Sequence, residues 1–173
     1  HELITSKKRL LPTSSVVLNS AKKTSYANEL AAFIKDRHRT GTLTLVVVNR
    51  VARAREIYEA LATGKKPIYD NPNHVALIHS RFRPKDRKKH EELLFGQGDR
   101  IVIATQAVEA GVDVSARLLI TELAPWSSLV QRMGRCNRRA DIADAEVLWV
   151  DIEPDAKGDL PLPYSKDELD QAR

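Results

Sequence analysis

The chain of 173 residues has one cysteine, Cys136, so no internal disulfide framework can staple it. No apolar run approaches the roughly 18–20 residues that span a bilayer. The first residues carry no signal-like apolar stretch. These absences point to a reducing cytoplasmic setting and no membrane partner. Aromatic residues make up only 5%, too few for base stacking to dominate the function. A phosphate-cradling P-loop needs Gly-x-x-x-x-Gly-Lys-Ser/Thr. The nearest match, Gly64-Lys65-Lys66, lacks the upstream glycine and the following hydroxyl. No acidic pair follows a strand to hold magnesium. The histidines His1, His38, His74, His79 and His90 have no metal-ligand spacing. No Ser/His/Asp or Cys/His set stands out. A chain of this kind supplies only part of a phosphate-chemistry site.

What is present reads as one globular domain. Hydrophobic residues at 42% and charged residues at 29% exclude a disordered chain. Lysine and arginine number 28 against 23 acids, a net charge of +5 that suits a polyanion such as nucleic acid or a phosphate-rich ligand.

Short β-rich runs alternate with stretches of helical spacing. The runs are 16–18, 43–48, 75–78, 101–104, 118–120 and 147–150. They are nearly continuous in apolar residues, which marks strands buried on both faces of a parallel sheet. Helical spacing covers 24–38, 51–62, 84–95 (with Gly96 as its cap) and 127–133. The pattern predicts a doubly wound α/β domain with helices on both faces. Six or seven strands are expected, mostly parallel. Residues 1–12 read as an N-terminal arm or linker, 13–152 as the domain, and 64–74 as a surface loop. Residues 153–173 read as a loop-rich tail with a short helix at 165–172.

The chemistry concentrates in 101–138. Thr105 follows a strand, where doubly wound sheets bind ligands. Its hydroxyl and the next amides can hold a phosphate oxygen. Gly111 permits a tight bend, and Asp113 can accept from a ribose hydroxyl. A plain helix cap at Thr105 and a C-cap at Gly111 explain the same residues equally well. Then comes Gln131-Arg132-Met133-Gly134-Arg135-Cys136-Asn137-Arg138, with Arg139 behind it. Almost no acid accompanies these arginines until Asp141, so a phosphate partner is expected to relieve their repulsion. Trp126, after Pro125, reads as a packing residue at a helix entry rather than a stacking platform.

The segment Ala104-Thr105-Gln-Ala-Val-Glu-Ala-Gly-Val-Asp113 with Gln131 through Arg138 resembles motifs V and VI of superfamily 2 helicases. Val46-Val-Val-Asn49 resembles motif IV, and His79-Ser80-Arg81-Phe82 the segment after it. The wording around Glu122-Leu-Ala-Pro125 is most similar to the CRISPR-associated helicase-nucleases of type I systems. The likeness covers about residues 14–152. It implies a second, C-terminal RecA-like domain of an ATP-driven translocase on single-stranded DNA. It implies partners on the parent protein: a first RecA-like domain carrying the P-loop and magnesium-binding acids, and a histidine-aspartate nuclease domain. A CRISPR effector complex is a further candidate partner. Carried over by position, Arg135 and Arg138 match arginine fingers, and Gln131 the residue that senses the γ-phosphate. Gly111 and Asp113 match positions near the ribose. Thr105, Asn49, Arg50, His79, Ser80 and Arg81 match the nucleic-acid side. ATP and Mg2+ then belong to the intact parent, and this domain alone is expected to bind neither and to be inactive. The residues themselves leave open another DNA or RNA helicase, or a stand-alone nucleic-acid-binding module.

Overall fold

The apolar runs become six strands in a computed structural model that describes residues 13–18, 23–79, 92–109, 112–152 and 163–172. They are β1 (Thr13–Leu18), β2 (Leu43–Val47), β3 (Val75–Ile78), β4 (Arg100–Ala104), β5 (Leu118–Glu122) and β6 (Glu146–Ile152). The order across the sheet is β1-β6-β5-β2-β4-β3. Every pairing is parallel. The expected doubly wound, RecA-like α/β architecture is present, with six strands rather than seven.

Continuous apolar strands follow from burial on both faces. Val46, Leu77, Ile101, Ile103, Leu118 and Ile120 point to one layer. Leu45, Val47, Ile78, Val102, Ala104 and Leu119 point to the other. The first layer is closed by α1 (Lys23–Arg37) and α2 (Val51–Tyr58). Tyr26, Leu30 and Ile34 recur every fourth residue and lie wholly or almost wholly inside, beside Ile57 and Leu61. Each fully buried Leu or Ile contributes on the order of 1.5–3 kcal/mol. The second layer is closed by the helical turn at 92–95 through Leu94, by Val108, Val114 and Ala116, and by Cys136 and Ala145. A third cluster joins α3 (Trp126–Met133) through Leu129 to α4 (Lys166–Asp170) through Leu169.

Several local expectations need correction. The helix expected over 51–62 stays α-helical only to Tyr58, then widens over Glu59–Thr63, where the Gly64 amide reaches back five residues to Glu59 O at 2.7 Å. The stretch 64–74, read as a surface loop, is one, exposed or half-exposed except at Tyr69, and it is tied down. Ile68 N and Tyr69 N donate to Ala60 O and Leu61 O, and Tyr69 is buried. Of the helix expected over 84–95, only 92–95 lies within the described residues, as does only 163–172 of the tail. The arm 1–12 lies outside them.

Because all strands run the same way, their carboxyl ends share one rim, carrying Asn49, His79, Thr105 and Leu123. The chain leaves β2 into α2 on one face. It leaves β4 through 105–117 on the other. Such a divergence opens a crevice above the strand ends.

Candidate phosphate and nucleic-acid site

The rim is organised by buried polar groups. Glu122, at the end of β5, is 1% exposed and accepts three hydrogen bonds. They come from Tyr26 OH at 2.9 Å, the Asn49 amide at 2.6 Å and the Arg53 guanidinium at 2.7 Å. Burial first, and the Glu122 charge second, push the Tyr26 hydroxyl well above its usual range, so it remains a neutral donor. The Asn49 side chain donates to Leu123 O at 2.8 Å and accepts from Arg132 at 3.0 Å. Gln106 Nε2 donates to Asn49 O at 3.2 Å, which ties the strand end of β4 to that of β2. Thr105 is buried and extended, and opens the short helical turn Gln106–Val108 without a side-chain cap bond.

Arg132 is the largest wholly buried side chain among the described residues. The three nitrogens of its guanidinium are all used. Nε donates to Glu109 Oε1 at 2.8 Å, NH1 to Thr121 Oγ1 at 2.9 Å and Glu122 O at 3.1 Å, and NH2 to Asn49 Oδ1 at 3.0 Å. Ser128 Oγ holds the other Glu109 oxygen at 3.2 Å. A single planar fork thus joins β2, β5, α3 and the segment after β4, a task that suits arginine and not lysine.

The arginines do not form one helical face. α3 ends at Met133, and Gly134 caps it in ordinary right-handed geometry. The chain then turns extended, because Arg135 O accepts from Ala116 N at 2.8 Å and Asn137 N donates to Ala116 O at 2.9 Å. Asn137 sits at φ 45°, a conformation asparagine tolerates better than most. Its side chain pins the turn through Ile142 N and Ile142 O, both at 3.0 Å. As a result Arg135 and Arg138 diverge. Arg135 turns inward, 8% exposed, and its NH2 donates to Glu109 O at 2.7 Å. Its Nε is buried with no hydrogen-bond partner among the described residues. Arg138 faces solvent and meets Asp113 at 3.0 Å, with side chains 46% and 73% exposed. The run is therefore not free of acids, as its local sequence suggested. Its partners, Glu109 and Asp113, come from the 105–117 segment.

The predicted site residues fall into distinct places. Asn49, Thr105 and His79 are buried at the rim, and Arg50 is half-buried beside them. Gln131 is exposed on α3, and Asp113 and Arg138 are exposed beside the turn. Gly111, Ser80 and Arg81 lie outside the described residues. Trp126 is 64% exposed, so it is not the packing residue expected; it heads α3 with its ring in solvent. Cys136 is buried, and burial pushes its thiol up to about 12, which leaves it no nucleophile. Sequence reasoning missed Arg132 and Glu109 as partners. The only signal was an acid inside an otherwise apolar stretch four residues after Thr105.

A family model described as the C-terminal part of the CRISPR-associated nuclease/helicase Cas3 matches residues 40–141. A CRISPR-associated helicase Cas3 of Thermoproteus tenax is 38% identical over 130 residues, 72% of this chain and 20% of that protein. The chain thus spans about a fifth of the length of this relative. Among solved structures, a T. fusca Cas3 crystallised with ADP superposes with a TM-score of 0.69 at 24% identity, over 88% of this chain and 19% of that one. A chain of a CRISPR RNA-guided surveillance complex in a pre-nicking state gives a TM-score of 0.56 at 24% identity, over 86% of this chain and 19% of that one. At these identities the two structures speak for the fold.

Proposed function

This chain belongs to the family of Cas3-like CRISPR helicase C-terminal domains, and from that membership we propose that it is the second half of an ATP-driven motor on single-stranded DNA. The observation that carries the proposal is the turn Gly134–Arg138. It carries two guanidiniums on a single short segment: Arg138, which faces solvent, and Arg135, 8% exposed, whose Nε has no hydrogen-bond partner among the described residues. Donors of this kind fit a phosphate. The Arg138–Asp113 pair is exposed, and exposed pairs contribute little, so a phosphate can displace Asp113 at small cost.

In the parent protein ATP with Mg2+ supplies the γ-phosphoryl group, held by the P-loop of a first RecA-like domain. This chain's residues orient and stabilise. Arg138 reaches across the closed cleft. Arg135, steadied by Glu109 O, adds a second guanidinium where charge develops on the equatorial oxygens. Gln131, exposed on α3 just before that turn, senses the phosphate, and Asp113, released by Arg138, accepts from the ribose. By its place in the sequence, Gly111 is assigned to the ribose side as well. On the rim, Thr105, Asn49, Arg50 and His79 form the strand-binding side, to which Ser80 and Arg81 are assigned by sequence alone. The buried Asn49 and Thr105 shape this side, and the basic residues supply its charge. Arg132 links the two sides, since it holds Asn49 and Glu109 together. The nuclease domain of the parent and a CRISPR effector complex are the further partners of this reading, and the cytoplasm its compartment. Among the described residues no helix is long and apolar enough to cross a membrane.

The test compares ATP turnover by the parent protein and by the 173-residue chain, each with and without single-stranded DNA. Turnover that requires the parent and rises with the strand is expected. Robust turnover by the purified chain alone, or a parent indifferent to nucleic acid, contradicts the proposal.

A further inference from the structure

Three large hydrophobic side chains are exposed among the described residues: Phe95, Trp126 and Val130. Two of the three stand one turn apart on α3. Residues four apart share a helix face, so Trp126 and Val130, 64% and 49% exposed, form one apolar step. Ser127 and Gln131 lie beside them and are also exposed, while Leu129 and Arg132 point inward. The outer face of α3 thus carries a Trp, a Val, a Ser and a Gln, with no charge. Single exposed hydrophobics are ordinary on a protein surface. Two aligned on an uncharged helix face mark a contact surface, because burying them is favourable.

The chemistry of this face selects a polypeptide. A nucleic-acid strand is held by cations, and the face offers none. Tryptophan at the centre of a protein interface is a common anchor. The place of the face selects which polypeptide. It runs without a break into Gln131 and then into the turn Gly134–Arg138. At 1.5 Å per residue, Trp126 stands about 12 Å along the helix axis from Gly134. As half of a motor, the chain sets that turn against a phosphate held by a first RecA-like domain. A domain surface that brings a phosphate to Arg138 also meets the outer face of α3 at this short distance. The matched stretch is only 20% of the T. tenax relative, so a parent of that kind has the further chain such a contact needs.

We propose that Trp126 and Val130 form an apolar latch, which docks on the first RecA-like domain of the parent when the nucleotide cleft closes and so strengthens nucleotide binding. The proposal rests on the reading of this chain as half of a motor. The latch touches no nucleotide and no reacting atom, and acts through closure alone. A contact made equally in the ground and transition states favours binding and leaves the chemical step unchanged. In this it differs from Arg138, whose guanidinium acts on the transferring group.

The experiment follows oxidation of the Trp126 side chain by hydroxyl radicals, read by mass spectrometry, in the parent protein and in the 173-residue chain. In the parent, AMPPNP with oligo-dT should slow that oxidation severalfold. In the chain alone, Trp126 should stay reactive under every condition. In parallel, the parent carrying Trp126→Ser with Val130→Ser should show a KM for ATP raised by roughly tenfold or more, the effect of losing an interfacial tryptophan. Its kcat at saturation should be kept, and Trp126→Phe should retain most of the affinity. Both serines replace exposed side chains, so the melt of the chain should hardly move. The latch is overturned if Trp126 in the parent reacts as fast with AMPPNP as without it, whether open or covered in both. It is equally overturned if the double variant keeps its KM. Protection of the isolated chain by oligo-dT would make a strand the occupant, and protection that grows with chain concentration a second copy; either overturns the proposal. The two readings fail separately. A parent that turns over ATP with Trp126 unprotected keeps the motor and loses the latch. Protection in a parent whose Arg138→Ala variant keeps full kcat retains the contact and removes the arginine from catalysis.

Discussion

Replacing Arg132 with Met tests whether the rim depends on its buried guanidinium. Met has a similar stem and no charge, so packing changes little. The substitution removes four hydrogen bonds and leaves Glu109, whose side chain is 17% exposed, without its cation. Asn49 Oδ1 and Thr121 Oγ1 lose their donor as well. Breaking one side of a buried ion pair typically costs about 3–5 kcal/mol. At roughly 2–4 °C per kcal/mol for a domain of this size, the melting temperature should fall by roughly 6–20 °C. Lysine at the same place restores charge but cannot reach acceptors on three elements, so Arg132→Lys should lie between. Glu109→Gln should lose less on the Arg132→Met background than alone, since the two share one interaction. The assay is thermal and urea unfolding of the 173-residue chain beside Arg139→Ala, an exposed substitution expected within about 0.5 kcal/mol. If Arg132→Met unfolds with Arg139→Ala, the network does not hold the rim, and the reasoning from burial fails.

Three further outcomes follow from other parts of the molecule. At the amino ends of the strands, Asp99 accepts from His38 at 2.9 Å, His74 at 2.9 Å, Tyr69 OH at 2.8 Å and the Gly41 amide at 3.0 Å. Burial pushes this carboxyl up, but those hydrogen bonds outweigh it and hold it well below its ordinary 3.8. A depressed folded value means stability present above the unfolded value and lost as pH falls below it. Unfolding measured from about pH 5 to pH 2 should show that loss in the unmutated chain and much less of it in Asp99→Asn. Single-stranded DNA should bind the chain weakly, without sequence preference, with a log–log salt slope of about −0.7 per phosphate contact; salt-independent titrations would count against the rim. Gly134→Ala should leave the melt of the chain nearly unchanged, because an added methyl finds only ordinary contacts near 3.4 and 3.5 Å. In the parent it should slow ATP turnover if a phosphate approaches that glycine, and a parent with full turnover would place the phosphate elsewhere.

The strands were legible because parallel strands buried on both faces leave uninterrupted apolar runs. Val75–Ile78 was read to the residue, and β2 and β4 to within one. Helix α1 was equally plain from Tyr26, Leu30 and Ile34. What local sequence could not carry was pairing across the fold. Arg132 and Glu109 stand 23 residues apart, and Arg53 and Glu122 stand 69 apart, so a run of arginines looked unpaired when its acids came from another segment. The spacing of Arg135 and Arg138 suggested a shared helical face, but backbone bonding to Ala116 ends the helix first. Trp126 was misjudged for a related reason: apolar character says nothing of exposure at a helix's first residue. His38, His74 and Tyr69 gave no local sign that one carboxylate gathers them.

The central claim is that the turn after α3 brings arginines to a nucleotide phosphate. It is tested most directly by kcat for ATP in the parent protein carrying Arg135→Ala, Arg138→Ala or Arg139→Ala, with melts of each isolated 173-residue chain as a control for folding. A guanidinium that acts on the transferring phosphoryl group contributes a factor of roughly 10³–10⁵. Arg138→Ala should therefore lower kcat by orders of magnitude while its chain melts as the unmutated one does. Arg135→Ala should lower kcat as far, with some loss of stability because Arg135 is buried and bonded to Glu109 O. Lysine should rescue neither, and Arg139→Ala should turn over normally. Full turnover in both Arg135→Ala and Arg138→Ala would show that these arginines only hold the turn together.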